Sequence, residues 1–388
     1  MNRRPITIVI FAGFFLFGML FLLWGILLSD IAADLGMNKV VSGALFTLFS
    51  LGTVLGAVVG GKYVSRFDFL ALLAVLTSID AVLLLIFSAM QHWVSLLAVI
   101  FLVGVVSSCI ITIGHTLIAR LYVEKRFAMM GIMDFMFSLG TLAASFYVTL
   151  VYFYLPGWRW PIRLLTIFMA LLAVYTFFAA MRSRAMVATQ PREVKRSLSY
   201  KEVLRRPVFV LLALVSFGYG AVEFGNANWF VTYAQLGRGV DGETARNLLA
   251  CFTAGMVVSR LVFAYFLRIF SLHRLTVIMA VMSGIGTWGI ATSETMLMLG
   301  VSNLLFGLGL GGLYPLVLSA AMNIDSEKGP VLSGVSIIGN SLGVQTASFS
   351  IGLWANYAPI TQAYWVIPIG GGILMLTAWL YSRELKAL

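Results

Sequence analysis

Charged residues are scarce in this chain. Asp, Glu, Lys and Arg together make up 11% of its 388 residues, whereas hydrophobic residues make up 61%. Soluble domains carry about 25% charged residues, because their surfaces face water. A soluble globule is therefore excluded, and most of the chain is expected to contact lipid.

Cysteine and histidine are also rare. Cys109 and Cys251 both stand in apolar runs, which excludes a disulfide framework or thiolate metal site and favours packing roles. His92, His115 and His273 lack the spacing of metal ligands. The sequence contains no GxxxxGK[ST], HExxH or GxSxG motif, so ATP coupling, zinc-peptidase and serine-hydrolase chemistry are not expected. We predict neither an enzyme nor a protein with a cofactor or metal.

Long apolar segments follow one another through most of the chain. A helix needs about 20 apolar residues to cross the hydrocarbon core of a bilayer. Polar interruptions divide the sequence into twelve such segments, which makes this an all-α membrane protein with twelve predicted transmembrane helices. They cover residues 6–28, 40–62, 68–90, 93–120, 127–152, 160–182, 207–234, 243–267, 273–291, 295–322, 329–355 and 363–382.

The net charge of +11 is carried mainly by the connections between these segments. Lys and Arg concentrate in alternate connections, on the side that holds both termini, which the positive-inside rule assigns to the cytoplasm. The charge therefore indicates topology, and no nucleic-acid partner is expected. The first segment is longer than the apolar part of a signal peptide and has no cleavage site, so it is predicted to remain a transmembrane helix.

A basic segment divides the chain into two similar lengths. We predict an N-terminal half at residues 1–182, a cytoplasmic linker at 183–206 and a C-terminal half at 207–388, with six spans in each half. The linker is expected to enforce topology, with contact to lipid headgroups as the alternative. A short interfacial helix is expected around Tyr200–Leu204.

The two halves carry a weak internal repeat. Gly56 in the second span corresponds in place to Gly255 in the eighth, and Gly104 in the fourth corresponds to Gly307 in the tenth. Repeated six-span halves are typical of secondary transporters.

Three stretches carry a family resemblance. Residues 218–233 combine an acidic residue, glycines, a tryptophan and a Thr-Tyr pair, and residues 307–315 form a Gly-rich run that ends in Tyr-Pro. With the span count, linker and charge asymmetry, they resemble the fucose–galactose–hexose:proton symporter branch of the major facilitator superfamily. Residues 113–138 are most similar to TsgA-like proteins of that branch. The resemblance implies two six-helix bundles and secondary transport by alternating access.

Five ionisable residues lie inside predicted spans: Asp80, His115, Asp134, Glu223 and Arg260. A charged side chain at the centre of a spanning helix costs about 2.5–3.5 kcal/mol on insertion scales, so each requires an explanation. Glu223, near the middle of the seventh span, is the leading candidate proton carrier, since a carboxyl group in a low-dielectric interior keeps its proton more readily than in water. His115 and Asp80 are further proton-coupling candidates, and a structural role is the alternative for all three.

Asp134 and Arg260 are the candidate gating residues. Each lies about two turns from the cytoplasmic end of its span, and the resemblance implies that these two spans face one another. We predict an ion pair between them that closes the cytoplasmic side. The alternative is that each side chain is satisfied independently.

Aromatic and amide side chains at the expected cavity positions suit a small polar solute, through stacking and hydrogen bonding. Packing is the alternative for each of them. The candidate solute-binding residues are Trp24, Tyr219, Asn226, Asn228, Trp229, Asn303, Tyr314 and Gln345.

These features predict a secondary active transporter for a small polar solute, a sugar included, that works by proton-coupled symport. It is expected in the cytoplasmic (inner) membrane as a multi-pass monomer. One alternative is a proton-coupled exporter of lipophilic or drug-like compounds, whose cavity would be more apolar. Another is a membrane receptor of the same fold that transports nothing. Coupling to sodium is also compatible with the sequence.

Overall fold

A computed structural model describes residues 4–63, 68–122, 125–183, 205–324 and 329–387. Within these ranges the regular structure is entirely helical. We number its fourteen helices α1 (Arg4–Leu35), α2 (Lys39–Tyr63), α3 (Phe69–Ala89), α4 (Trp93–Leu121), α5 (Arg126–Tyr154), α6 (Arg159–Ser183), α7 (Pro207–Arg238), α8 (Gly242–Phe266), α9 (Leu272–Thr292), α10 (Met296–Leu310), α11 (Leu313–Ile324), α12 (Gly329–Trp354), α13 (Ile360–Ala363) and α14 (Val366–Ala387).

Each predicted span corresponds to one long helix or to two consecutive helices. Eleven stretches of the described chain are long and apolar enough to cross a membrane. The segment predicted at 329–355 is helix α12, but it is not one of the eleven. Its sequence is rich in Ser and Gly and includes Asn340 and Gln345, which lowers its hydropathy. The predicted tenth span is α10 followed by α11, with a break at Gly311 and Gly312.

Helix α1 is longer than the sequence suggested. The predicted span ends at residue 28, because Ser29 and Asp30 resemble the start of a loop. The helix instead continues to Leu35, and Asp30 accepts a 2.5 Å hydrogen bond from the Tyr152 hydroxyl of α5. A carboxylate with a partner on another helix can remain inside a spanning segment.

Polar side chains mark several helix starts. Asp68 accepts hydrogen bonds from the first backbone amides of α3, and Thr295 does so at the start of α10. Asp241 caps α8, and hydrogen bonds from the Thr244 side chain and amide hold the pKa of Asp241 below its ordinary value. Gly239 ends α7 with a φ of 66°, a left-handed conformation that glycine adopts without strain.

The described residues form two compact units. The first contains α1 to α6 except Asn38–Gly43, which belong with α7 to α14 in the second. Nearly all of the predicted linker at 183–206, including the helix expected around Tyr200–Leu204, lies outside the described residues. The division into 1–182, 183–206 and 207–388 therefore stays a prediction.

Glycines allow the helices of each unit to approach closely. In the first unit, Gly56 of α2 and Gly104 of α4 lie directly against backbone of the partner helix. In the second unit, Gly255 of α8 and Gly307 of α10 make the corresponding contact. The internal repeat in the sequence thus marks the same helix pair in both units. Small residues serve this purpose in lipid, where association depends on close packing.

A polar cluster joins the ends of α1, α3 and α6. Asp34 accepts hydrogen bonds from Arg159 Nη1 at 2.6 Å and from Trp158 Nε1 at 3.1 Å. Arg159 also donates to the Met90 carbonyl at 3.2 Å. The guanidinium group of Arg159 therefore connects the ends of three helices.

We predict that Gly140→Ala destabilises the protein. Gly140 of α5 lies against the Phe15 carbonyl of α1, so an added methyl group would displace the backbone of α1. Overpacking of this kind costs about 1–3 kcal/mol. Thermal unfolding of the purified protein should show a lower Tm. Gly131→Ala, on the same helix with no atom within 4 Å of the added Cβ, is the matched control and should leave the Tm unchanged or slightly raised. Equal effects of the two changes would contradict this account of the contact.

Candidate functional site

Glu223 lies in the middle of α7 and is partly exposed within an otherwise buried stretch. From Gly218 to Ala234, every residue is buried except Glu223 and Phe224. Glu223 is thus a partly exposed residue within a tightly packed part of the helix. Its role as a proton carrier stays a prediction.

Two side chains lie near the Glu223 carboxyl group, and a third packs against one of them. Tyr219, one turn earlier on α7, has its hydroxyl within hydrogen-bonding reach of both Glu223 and Arg260. Arg260 of α8 lies within electrostatic range of the carboxyl group. Tyr314, at the start of α11, packs its ring against Tyr219 with centroids 5.2 Å apart. We call these four residues the Glu223 cluster, and all of them lie in the second unit.

The break between α10 and α11 lies beside this cluster. Arg260 Nε donates to the Gly311 carbonyl at 3.2 Å, and the Gly312 amide donates to Ser259 Oγ at 3.2 Å. Two adjacent residues of α8 thus supply partners for backbone groups at the break. Polar backbone in a spanning segment needs such partners, because lipid offers none. Neither glycine has room for a side chain, since Met256 and Phe263 of α8 lie against them.

Asn226 and Asn303, two predicted solute ligands, lie in a buried network instead of an open site. Both are fully buried. Asn226 Nδ2 donates to Asn303 Oδ1 at 3.5 Å, and Asn303 Nδ2 donates to the Leu299 carbonyl at 3.0 Å. The Tyr364 hydroxyl donates to Asn226 Oδ1, and the ring of Tyr364 stacks on Tyr233 with centroids 4.0 Å apart. The network joins α7, α10 and the start of the last span.

Asn228 and Trp229 point to α12. Asn228 Nδ2 donates to Ser348 Oγ, and Trp229 Nε1 donates to the Ser348 carbonyl, both at 3.0 Å. Both side chains are buried. Gln345, one turn before Ser348, is partly exposed. Of the solute ligands predicted in the second unit, Tyr314 and Gln345 are partly exposed, and Tyr219 is buried beside Glu223.

Trp24, the solute ligand predicted in the first unit, is enclosed. It is 1% exposed and packs between Phe87 and Phe49, with ring centroids 4.9 Å and 6.1 Å away. Its indole N–H has no hydrogen-bond partner among the described residues. Its role as a solute ligand stays a prediction and would need an opening of this packing.

Asp80 is fully enclosed between α3 and α4. Its side chain is 0% exposed, and Ser107 Oγ lies 3.4 Å from both carboxyl oxygens. No cation pairs with it in the part of the chain that the structure describes. A carboxyl group without a cation is accommodated in lipid at lower cost as the neutral acid.

His115 and Asp134 lie together in the first unit, although the sequence assigned them different roles. His115 Nε2 is 3.7 Å from Asp134 Oδ1, and both side chains are substantially exposed. His115 Nδ1 lies 2.9 Å from the Ile111 carbonyl, which requires the proton on Nδ1. The gating pair of Asp134 with Arg260 joins residues of different units and stays a prediction.

Metal ligands do not cluster in the described residues: no group of three or more His, Cys, Asp or Glu side chains could hold an ion.

The family model for the Major Facilitator Superfamily matches residues 9–344. The chain belongs to this superfamily. It is a multi-pass membrane transporter and not an enzyme, and the resemblance found in the sequence is confirmed.

TsgA proteins are similar to this transporter in sequence. The TsgA homologue of Enterobacter sp. (strain 638) is 24% identical over 299 residues, covering 74% of this chain and 71% of the relative. TsgA of Shigella flexneri is 25% identical over 297 residues, covering 73% and 71%. The TsgA homologue of Serratia proteamaculans (strain 568) is 25% identical over 187 residues. The match covers 45% of that relative, so this chain spans about half of the relative's length.

Solved transporters share the fold. The nucleoside transporter NupG has a TM-score of 0.78 at 15% identity, and a D-xylose–proton symporter has a TM-score of 0.79 at 16% identity. Both comparisons cover 100% of each chain. At these identities the likeness shows the fold alone.

We predict that Tyr364→Phe destabilises the transporter. The change leaves the buried Asn226 Oδ1 without the hydroxyl donor, and an unsatisfied buried acceptor costs about 1–3 kcal/mol. The Tm of the variant should fall. Tyr357→Phe is the matched control, because Tyr357 is 81% exposed and its loss of a hydroxyl should have no measurable effect. An unchanged Tm in Tyr364→Phe would show that this network does not stabilise the helices.

Proposed function

We propose that this transporter moves a small polar solute across the cytoplasmic membrane by proton-coupled symport, with Glu223 as the proton carrier. The supporting observation is the position of Glu223 in the middle of α7, partly exposed in a buried stretch and within range of Tyr219 and Arg260. Intramembrane carboxyl groups are costly and mark ion or proton pathways in transporters.

Glu223 can couple a proton to a conformational change through its charge. When ionised, its carboxylate attracts Arg260 and accepts a hydrogen bond from Tyr219. When protonated, it is neutral and the cost of enclosing it in a closed site falls. A proton and a solute that bind together would favour the closed state, which is the thermodynamic requirement for symport.

The neighbours of Glu223 favour a polar solute. Tyr219 and Tyr314 offer aromatic faces and hydroxyl groups, and Arg260 offers a charged donor. Rings of this kind stack on flat apolar faces, while hydroxyl groups bind hydroxylated solutes such as sugars. Two transporters that share this fold also move polar solutes: NupG is a nucleoside transporter, and the other is a D-xylose–proton symporter.

The remaining assignments are part of the same proposal. His115 and Asp80 are secondary proton sites, and Asp134 with Arg260 forms the cytoplasmic gate. Trp24, Gln345 and the asparagines of α7 and α10 complete the solute site in open conformations. The two halves act as six-helix bundles around the pathway, both termini are cytoplasmic, and the transporter works as a monomer in the inner membrane.

A stability screen identifies the solute. The purified transporter is heated with sugars, nucleosides, organic acids or lipophilic cations at about pH 5.5 and about pH 7.5, a range in which a carboxyl group in a low-dielectric interior can gain and lose its proton. A ligand that binds the folded state raises the Tm by mass action. We expect stabilisation by one polar solute. Stabilisation by lipophilic cations alone would support a drug exporter instead.

We predict that Glu223→Gln abolishes accumulation of that solute. In liposomes with an inward proton gradient, the variant should accumulate no more than empty liposomes. It should still exchange labelled for unlabelled solute, because exchange needs no net proton movement. Glu294→Gln, at an exposed connection, is the matched control and should behave like the unchanged protein.

The same assay tests the secondary sites. Asp80→Asn and His115→Gln should reduce accumulation less than Glu223→Gln does. Accumulation that survives in Glu223→Gln but is lost in either of these variants would move the proton carrier to the first unit. The absence of any flux in the unchanged protein would favour the receptor alternative.

A further inference from the structure

We propose that Arg260 is a positioning residue that transmits the charge of Glu223 to the break between α10 and α11. This inference rests on the proposed function, because it takes Glu223 as the group that gains and loses the proton.

Arg260 contacts both parts of the site. Its Nε donates to the Gly311 carbonyl at 3.2 Å, at the break. The same guanidinium lies within hydrogen-bonding reach of Tyr219 and within electrostatic range of Glu223. A guanidinium group has five N–H donors in a rigid plane, so one side chain can hold two partners in a fixed relation.

The break depends on α8 for its hydrogen bonds. Gly311 and Gly312 are buried, and Ser259 and Arg260 supply partners for the Gly312 amide and the Gly311 carbonyl. The Ser259 hydroxyl is neutral and does not respond to nearby charge. Arg260 is the charged member of this pair, so its position is the one that Glu223 can influence.

Tyr314 links the break to the solute site. It stands two residues after Gly312, and its ring packs on Tyr219. A change in the geometry of the break therefore moves an aromatic ring of the Glu223 cluster. In this way the charge of Glu223 controls the shape of the site.

The sign of the effect follows from the two acceptors. An ionised Glu223 draws the guanidinium toward α7 and weakens its bond to Gly311. When Glu223 is neutral, it attracts the guanidinium group less, and the Gly311 carbonyl keeps its hydrogen bond to Arg260. The backbone at the break is then held more firmly. Protonation should therefore protect the backbone amides around the break from exchange with solvent.

The charged surroundings of Glu223 within its unit are simple. Among the described residues of this unit, the titratable groups that interact with it are Arg260 from α8 and Tyr219 on its own helix, and Tyr314 of α11 packs on Tyr219. Helix α12 contains no ionisable residue. In α14, Gly370 lies against Val222, the neighbour of Glu223 in the chain. The first ionisable residue of α14 is Tyr381, about three turns beyond Gly370.

Hydrogen–deuterium exchange of the full-length transporter tests the inference. Peptides that cover residues 308–316 are followed at about pH 5.5 and about pH 7.5, with correction for the intrinsic pH dependence of exchange. In the unchanged protein we expect slower exchange at the lower pH, on the order of tenfold, the scale of a charge-assisted hydrogen bond. Peptides from α12 serve as the internal reference.

Two variants separate the residues. Glu223→Gln should exchange slowly at both pH values, because its side chain is always neutral. Arg260→Lys should lose the pH dependence although Glu223 is intact, since an ammonium group cannot bridge both partners. Arg268→Lys, at an exposed site beyond α8, is the matched control and should keep the dependence.

The outcomes distinguish this inference from the proposed function. If Arg260→Lys keeps the full pH dependence at residues 308–316, the inference is wrong, whatever the transport result. If Glu223→Gln keeps proton-driven accumulation, the proposed function is wrong. Should Arg260→Lys fail to fold, Glu223→Gln still decides, because pH-dependent exchange in that variant would overturn the inference.

Discussion

The bilayer interior supplies no hydrogen-bond partners, and this constraint governs the polar contacts of the transporter. At the break between α10 and α11, two neighbouring side chains of α8 supply hydrogen-bond partners for the Gly311 carbonyl and the Gly312 amide. Buried asparagines bond one another and a tyrosine from the last span. Glycines at several helix pairs let the backbones approach directly. Each of these departures from a plain apolar helix is accommodated by a specific neighbour.

Helix α7 combines a fixed part with an accessible one. Its C-terminal half is held by Asn226, Asn228 and Trp229, whose side chains bond other helices. Glu223 precedes these anchors by about one turn and remains partly exposed. A reactive group is positioned most precisely when its helix is held by neighbouring contacts. The buried side chains of Asn226 and Asn228 thus help to position Glu223 through the helix, without contacting its carboxyl group.

The sequence predicts the number and order of spans because hydrophobic length is a local property. The repeat of Gly56 and Gly255 also points to a real contact, since close approach requires glycine at the same place in each unit. Partners distant in the chain were not predictable: the bond of Asp30 with Tyr152 extends α1, and they lie 122 residues apart. Among the asparagines of the seventh span, no local pattern distinguishes a solute ligand from a packing group. The burial of Asn226 depends on residues far away in the chain, such as Tyr364, and is therefore seen only in the structure.

Helix α12 has a consequence for how the protein is made. It is too polar to be one of the eleven apolar spans, and its hydrogen bonds go largely to α7, from which Ser336 and Ser348 are 120 residues distant along the chain. Ribosomes add about 5–20 residues per second, so α7 emerges about 6–24 s before its partner. The hydrogen bonds that join Ser336 and Ser348 to α7 can therefore form only after this interval.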